Sequence, residues 1–166
     1  MIDAETLIKK FQLQPHPEGG LFKETYRATG AIQKTHLPDV YGGNRNYSTA
    51  IYYLLLPDTK SQFHKLKSDE IWHFYLGGSL TLVQIFEDGK IEEVVLGPNI
   101  EANEKVQHVI QANCWFCAYP NPESPYSFVG CTVAPGFDFQ DFELGNHEQL
   151  LEEYPEAKRI IDPPTN

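Results

Sequence analysis

The stretch FHKLKSDEIWHFYLGG, Phe63 to Gly78, decides how the rest of the chain is read. It places two histidines and a glutamate in two strand-like segments that end at a glycine turn. Alternate residues of a strand share a face, so Glu70, Trp72 and Phe74 point one way and Ile71, His73 and Tyr75 the other. By the same count His64 shares its face with Gln62 and Leu66. The two segments are expected to pair across the Leu66–Asp69 turn. His64 and Glu70 would then meet on one interior face, in hydrogen-bonding reach directly or through one water, with His73 outside.

Working outward, the neighbouring sequence repeats this design. Strand-like segments occupy Leu21–Arg27, Tyr47–Leu56, Ser61–Leu66, Glu70–Leu76, Ser79–Phe86, Ile91–Leu96, Val106–Gln111, Trp115–Tyr119 and Ser127–Ala134. Between them stand Pro57-Asp58, Gly77-Gly78, Asp88-Gly89, Gly97-Pro98-Asn99 and Pro120-Asn121-Pro122. Short strands at near-regular spacing with turn signals between them predict an antiparallel sandwich or barrel. EDGK (Glu87–Lys90) reads as a type I′ hairpin turn. Helices are expected only at the ends. Asp3 caps a helix carrying Ala4, Leu7, Ile8 and Phe11 on one face, and PHPEGG (Pro15–Gly20) stops it. Asn146 and Gln149 form a capping pattern before Leu150, Pro155 suits a helix start, and Asp162 before Pro163 ends the last helical piece.

A chain of 166 residues, 41% hydrophobic and 13% aromatic, predicts a single globular domain over residues 1–166. Its 13 basic and 23 acidic residues give a formal charge of −10, which repels phosphate backbones and anionic lipid, so neither nucleic acid nor a membrane surface is an expected partner. No apolar run is long enough to span a bilayer and the N-terminus lacks a signal-peptide pattern. Cys114, Cys117 and Cys131 are an odd count without an export signal, which predicts reduced thiols and a cytoplasmic location. No glycine-rich run is set in a phosphate loop.

His64, five residues, Glu70, six residues and Gly77 resemble the first motif of the cupin superfamily, in which a second histidine follows two places after the first. Here that place is Leu66. VIQANCWFCA (Val109–Ala118) resembles the second motif, P-x-G-x-x-H, with Gln111, Asn113 and Phe116 at the marked positions. LQPHPEGGLFKETYR (Leu13–Arg27), SDEIWHFYLGG (Ser68–Gly78) and FVGCTVAPGFDFQDFELG (Phe128–Gly145) narrow the resemblance to the fifth cupin family, small single-domain cupins. It implies an all-β, single antiparallel cupin-type barrel, a double-stranded β-helix or jelly roll, with short terminal helices.

The resemblance leaves three readings of the opening stretch. A metal cupin would keep four ligands, but Leu66 and Phe116 replace two of them, so no cofactor is expected. His108, or Gln107 from the same strand, could supply a substitute ligand beside His64 and Glu70, the register of that strand being open. A metal-free acid–base pair of His64 and Glu70 is the second reading, because a carboxylate orients an imidazole for proton transfer. Metal-free sugar-nucleotide epimerases of the superfamily imply epimerase- or isomerase-like chemistry on a sugar or related polar metabolite. The third is a structural pair inside a polar patch. A non-catalytic ligand-binding module stays open beside these. Tyr53, Trp72, Phe74 and Phe116, by position on the expected inner face, are candidate ligand-binding residues, and Gln107 joins them from the strand whose register is open. His16 and Glu18 either fold over the barrel mouth or face water in an ordinary turn. Outward-facing Ile71, His73 and Tyr75 predict a homodimer, which small cupins commonly form.

Overall fold

The computed structural model describes residues 2–161. The end of the last helical piece at Asp162 lies outside them. Thirteen strands follow helix α1 (Ala4–Phe11): β1 (Gln14–Pro15), β2 (Leu21–Arg27), β3 (Ala31–Ile32), β4 (Arg45–Asn46), β5 (Thr49–Leu55), β6 (His64–Leu66), β7 (Glu70–Gly77), β8 (Leu80–Ile85), β9 (Ile91–Leu96), β10 (Gln107–Ile110), β11 (Trp115–Pro120), β12 (Ser127–Val133) and β13 (Phe142–Leu144). Helices α2 (His147–Glu153) and α3 (Lys158–Ile161) follow. Short 3-10 turns also interrupt the middle of the chain at Lys34–His36, Ile100–Ala102 and Phe139–Asp141.

The strands divide between two main sheets. One runs β1-β2-β5-β12-β7-β10 and the other β13-β6-β11-β8-β9, while β3 and β4 form a separate ribbon. The expected barrel is thus realised as a two-sheet jelly roll, and every ladder named here is antiparallel. One expectation changes in consequence. β6 and β7 do not pair with each other: β6 lies between β13 and β11, and β7 between β12 and β10. The Lys67–Asp69 turn crosses from one sheet to the other, so His64 and Glu70 belong to opposite layers.

Three apolar clusters follow from the alternation. Tyr53, Leu55, Trp72, Leu82, Val94, Phe116 and Val129 form the main cluster. α1 buries Leu7 against Leu54, Tyr126 and Phe128, residues of opposite parity to the main cluster's Tyr53, Leu55 and Val129. The C-terminal helices bury Leu150, Tyr154 and Ile161 against Ile85 and Trp115. The Asp3 side chain accepts from Thr6 N at 2.7 Å and that of Asn146 from Gln149 N at 3.1 Å, as the capping patterns require.

Two turns carry the resemblance into geometry. Gly77, the glycine of the first motif, has φ +97, and a Cβ there would lie 2.3 Å from the Tyr126 carbonyl oxygen. Asn113, where the second motif has glycine, takes φ 62, a left-handed conformation asparagine tolerates. EDGK departs from its expected geometry. Within it only Gly89 has positive φ, and Gly89 N donates to Phe86 O at 2.9 Å, so the turn is a type I turn closed by a left-handed glycine rather than type I′.

Candidate functional site

A cavity of about 270 Å3 opens between the layers. Phe22, Glu24, Ile51, Glu70, Cys131 and Val133 of the first sheet face His64, Leu66 and Phe142 of the second. His16 and Glu18 close one side from the β1–β2 loop, and Phe137, Asp138 and Phe139 from the β12–β13 segment.

The PHPEGG loop folds inward because backbone bonds fix both its ends. His16 N donates to Gly20 O at 3.1 Å, Gln62 N to Glu18 O at 2.7 Å and the Tyr53 hydroxyl to Gly19 O at 2.9 Å. Gly19 has φ +107, and a Cβ on it would stand 2.7 Å from the Lys60 carbonyl oxygen. The glycines let the loop lie directly on its neighbours, which carries the Glu18 side chain, 9% exposed, into the interior.

Glu18 Oε2 lies 3.1 Å from His64 Nε2 and 3.4 Å from His16 Nδ1. Three observations fix the protons. His64 Nδ1 is 2.7 Å from the Gln62 carbonyl oxygen, which can only accept, so Nδ1 carries a hydrogen. In a neutral imidazole Nε2 is then a lone pair facing a carboxyl oxygen, and a proton must sit between them. His16 Nδ1 accepts from Glu18 N at 3.3 Å, so it too presents a lone pair to this carboxyl. Burial pushes Glu18 well above the usual carboxylate range, helped by the nearby Glu70 charge and opposed by the neighbouring Tyr53 hydroxyl. Burial pulls His64 down to about 4, against the raising effect of the Gln62 carbonyl. Both shifts favour the uncharged forms, a Glu18 acid donating to a neutral His64, and the pair holds one transferable proton.

Glu70 stands apart from this bond. Trp72 Nε1–H donates to Glu70 Oε2 at 2.8 Å, and burial raises the carboxyl to about 7 despite that donor. Both His64 and Glu70 line the cavity; of the contact expected between them, direct or through one water, the direct bond is not formed, since both ring nitrogens of His64 have other partners. The physical reason is the sheet crossing between β6 and β7.

The expected ligand-binding residues are placed elsewhere. Tyr53, Trp72 and Phe116 are buried in the main cluster, Phe74 packs on its edge, and none of them lines the cavity. Phe116 supports the site from behind, its ring centroid 4.0 Å from that of His64. Gln107 is exposed on β10, opposite His73 rather than the cavity. His108 pairs with Trp72 and its Nε2 lies 2.8 Å from Gln84 Nε2, so His64, Glu70 and His108 are not brought together. Apolar Leu66 and Phe116 fill two positions a metal cupin uses. Among the described residues no group of three or more His, Cys, Asp or Glu is placed to hold a metal ion.

Sequence reasoning missed several lining residues. Glu24 and Arg27 both line the cavity although simple alternation puts them on opposite faces. The β2–β5 register shifts between Glu24 and Tyr26, and this bulge brings Arg27 round to Glu24. Arg27 Nε and Nη2 donate to the Glu24 carboxylate at 3.0 and 2.8 Å, and Nη1 to Asn46 Oδ1 at 2.9 Å and Phe137 O at 3.1 Å. The three cysteines are free and buried, and Cys131 at the cavity has its thiol pushed up by burial, away from nucleophile behaviour.

A two-sheet jelly roll with a histidine–carboxyl cavity between its layers defines a cupin-type protein. The description "Cupin superfamily (DUF985)" matches residues 5–145, and the chain belongs to this family. It is 32% identical to the uncharacterized protein YML079W of Saccharomyces cerevisiae over 168 residues, 96% of this chain and 80% of that protein. Protein SO0799 from Shewanella oneidensis is 35% identical, with a TM-score of 0.88 over 100% of this chain and 99% of that one. A hypothetical protein from Leishmania major is 32% identical, with a TM-score of 0.87 over 96% and 97% of the two chains. Among the described residues no helix is long and apolar enough to cross a membrane.

Proposed function

We propose that the cavity binds a small carbonyl metabolite and moves a proton on it without a resident metal, as an epimerase- or isomerase-like enzyme. The observation that carries this reading is the 3.1 Å contact of Glu18 Oε2 with His64 Nε2 while His64 Nδ1 is committed to the Gln62 carbonyl. Such a pair delivers a proton to a carbonyl oxygen. Glu70, raised to about 7, is matched to remove a proton from the neighbouring carbon at neutral pH. The C–H proton passes to Glu70, the Glu18 proton passes to oxygen, and an enediol forms. The Glu70 proton then passes to the other enediol carbon while the second enediol hydroxyl returns its proton to the Glu18 carboxylate, which moves the carbonyl to the neighbouring carbon and restores both carboxyl groups.

The test is deuterium wash-in. A panel of small α-hydroxy carbonyl sugars is incubated with the protein in D2O and followed by NMR. Exchange at the α-carbon is expected, and it should be lost in Glu18→Gln and Glu70→Gln. Absence of exchange across the panel would overturn the enzymatic reading. Ligand binding without exchange would instead favour a non-catalytic binding module, a reading supported by the protein's own occupation of both His64 nitrogens.

We further propose a cytoplasmic homodimer. The free, buried thiols fit a reducing compartment. Tyr75, 45% exposed, continues the outer face of β7 with Ile71 and His73 as a surface for a second copy.

A further inference from the structure

We infer that the cavity takes an uncharged, ring-bearing alcohol or carbonyl compound and selects against phosphates and carboxylates; this rests on the ligand-binding part of the proposed function and not on turnover. Phe22, Phe137, Phe139 and Phe142 supply an aromatic wall around the acid floor. His16 holds that wall in place, its ring edge-on to Phe22 at 4.6 Å and stacked near Phe139 at 6.4 Å. A volume of about 270 Å3 lies below the ~300–1,000 Å3 of clefts that bury drug-sized ligands, so one ring with a short polar arm is the matching size.

Charge decides the polar arm. Among the described residues Arg27 is the one Arg or Lys lining the cavity. Its guanidinium is already clamped by the Glu24 carboxylate, Asn46 and the Phe137 carbonyl, with the Asp138 charge close by. A second anion would meet Glu24, Asp138 and Glu70 without a free counter-charge. The two imidazoles present Glu18 with lone pairs rather than charges. An anion buried here would lose its water and gain no partner. A hydroxyl or carbonyl needs only the Glu18 and Glu70 carboxyls. The same reasoning removes the diphosphate of a sugar nucleotide, which the epimerase analogy would otherwise suggest.

The experiment compares benzyl alcohol, benzoate and phenyl phosphate by ligand-observed NMR titration of the purified protein at neutral pH. Benzyl alcohol is expected to bind at least ~10-fold more tightly than either anion. An anion that binds as tightly as the alcohol overturns the charge argument, and failure of all three to bind overturns the ring argument. In the double variant Glu24→Gln, Asp138→Asn the Arg27 guanidinium keeps its Asn46 and Phe137 contacts but loses its neighbouring counter-charges, and phenyl phosphate should gain at least ~10-fold. No gain would remove the clamped arginine as the source of selectivity. Binding is read at equilibrium, so missing deuterium exchange leaves this inference standing, and missing benzyl alcohol binding leaves proton transfer on sugars to its own test.

Discussion

Glu18 and His64 come from different parts of the chain, a tight glycine loop and a strand of the second sheet, yet share one proton across 3.1 Å. Each is unfavourable in the interior alone, and together they are satisfied. Replacing Glu18 by Gln keeps a donor facing His64 Nε2 but removes the acid. The fold should change by less than about 1 kcal/mol, whereas proton exchange should fall about 10²–10⁴-fold. His64→Ala differs, since it leaves a buried carboxyl without its acceptor and should cost on the order of 1–3 kcal/mol. Equal thermal stability of the two variants would contradict this assignment.

Glu70 makes stability depend on pH. Its folded carboxyl titrates near 7 against an ordinary 4.5, so the folded protein holds a proton that the unfolded chain has released. The stabilising contribution is therefore complete below the unfolded value and disappears as pH rises through 7. It amounts to at most about 3 kcal/mol. Glu70→Gln retains an acceptor for the Trp72 indole and should flatten the decline between about pH 5 and about pH 8 in urea denaturation. The same slope in both proteins would count against a buried, raised Glu70. His16, pulled down to about 4 by burial, acts oppositely, and its contribution fades as pH falls below 6.5.

The loop that delivers Glu18 depends on Gly19. A methyl there would press on the Lys60 carbonyl from a backbone at φ +107. Gly19→Ala should cost on the order of 1–3 kcal/mol and weaken ligand binding as well, because the loop must shift away from Gln62. Denaturant midpoints and the NMR titration would both report it, and unchanged binding would separate the loop from the site.

Asp141 anchors the aromatic side of the cavity. Its carboxylate accepts from buried Arg45 Nη2 at 2.7 Å, and it ends the Phe139–Asp141 turn just before Phe142. Asp141→Asn leaves a buried guanidinium short of its charge partner, at a cost of about 3–5 kcal/mol. A variant as stable as the parent would show that the pair is dispensable.

A homodimer should run in light scattering at twice the 18.9 kDa chain mass. Tyr75→Glu, placing charge on the outer face of β7, should shift it toward the monomer. A monomeric parent at micromolar concentration would end that proposal.

Alternation and turn residues were enough to place most long strands, because each is governed by neighbours a few residues away. β8, β9, β11 and β12 lie within the segments read from Ser79–Phe86, Ile91–Leu96, Trp115–Tyr119 and Ser127–Ala134, give or take one terminal residue. The short β1, β3, β4 and β13 carry too few residues for a period to register. Inward parity for His64, Glu70 and Leu66 was likewise legible, and all three line the cavity.

What the sequence by itself determined is the alternation: which side chains of each strand face inward, where the chain turns and which helix ends are capped. Those are local properties of backbone geometry. Only the tertiary structure decided partners. Whether β6 pairs with β7 or crosses to the other sheet depends on which strand completes its hydrogen bonds, and the answer is β11 and β13. That crossing sends His64 to Glu18 instead of Glu70. The bulge after Glu24 turns Arg27 into the cavity against the count of alternation. Both outcomes rest on contacts between residues far apart in the chain, which no short window of sequence contains.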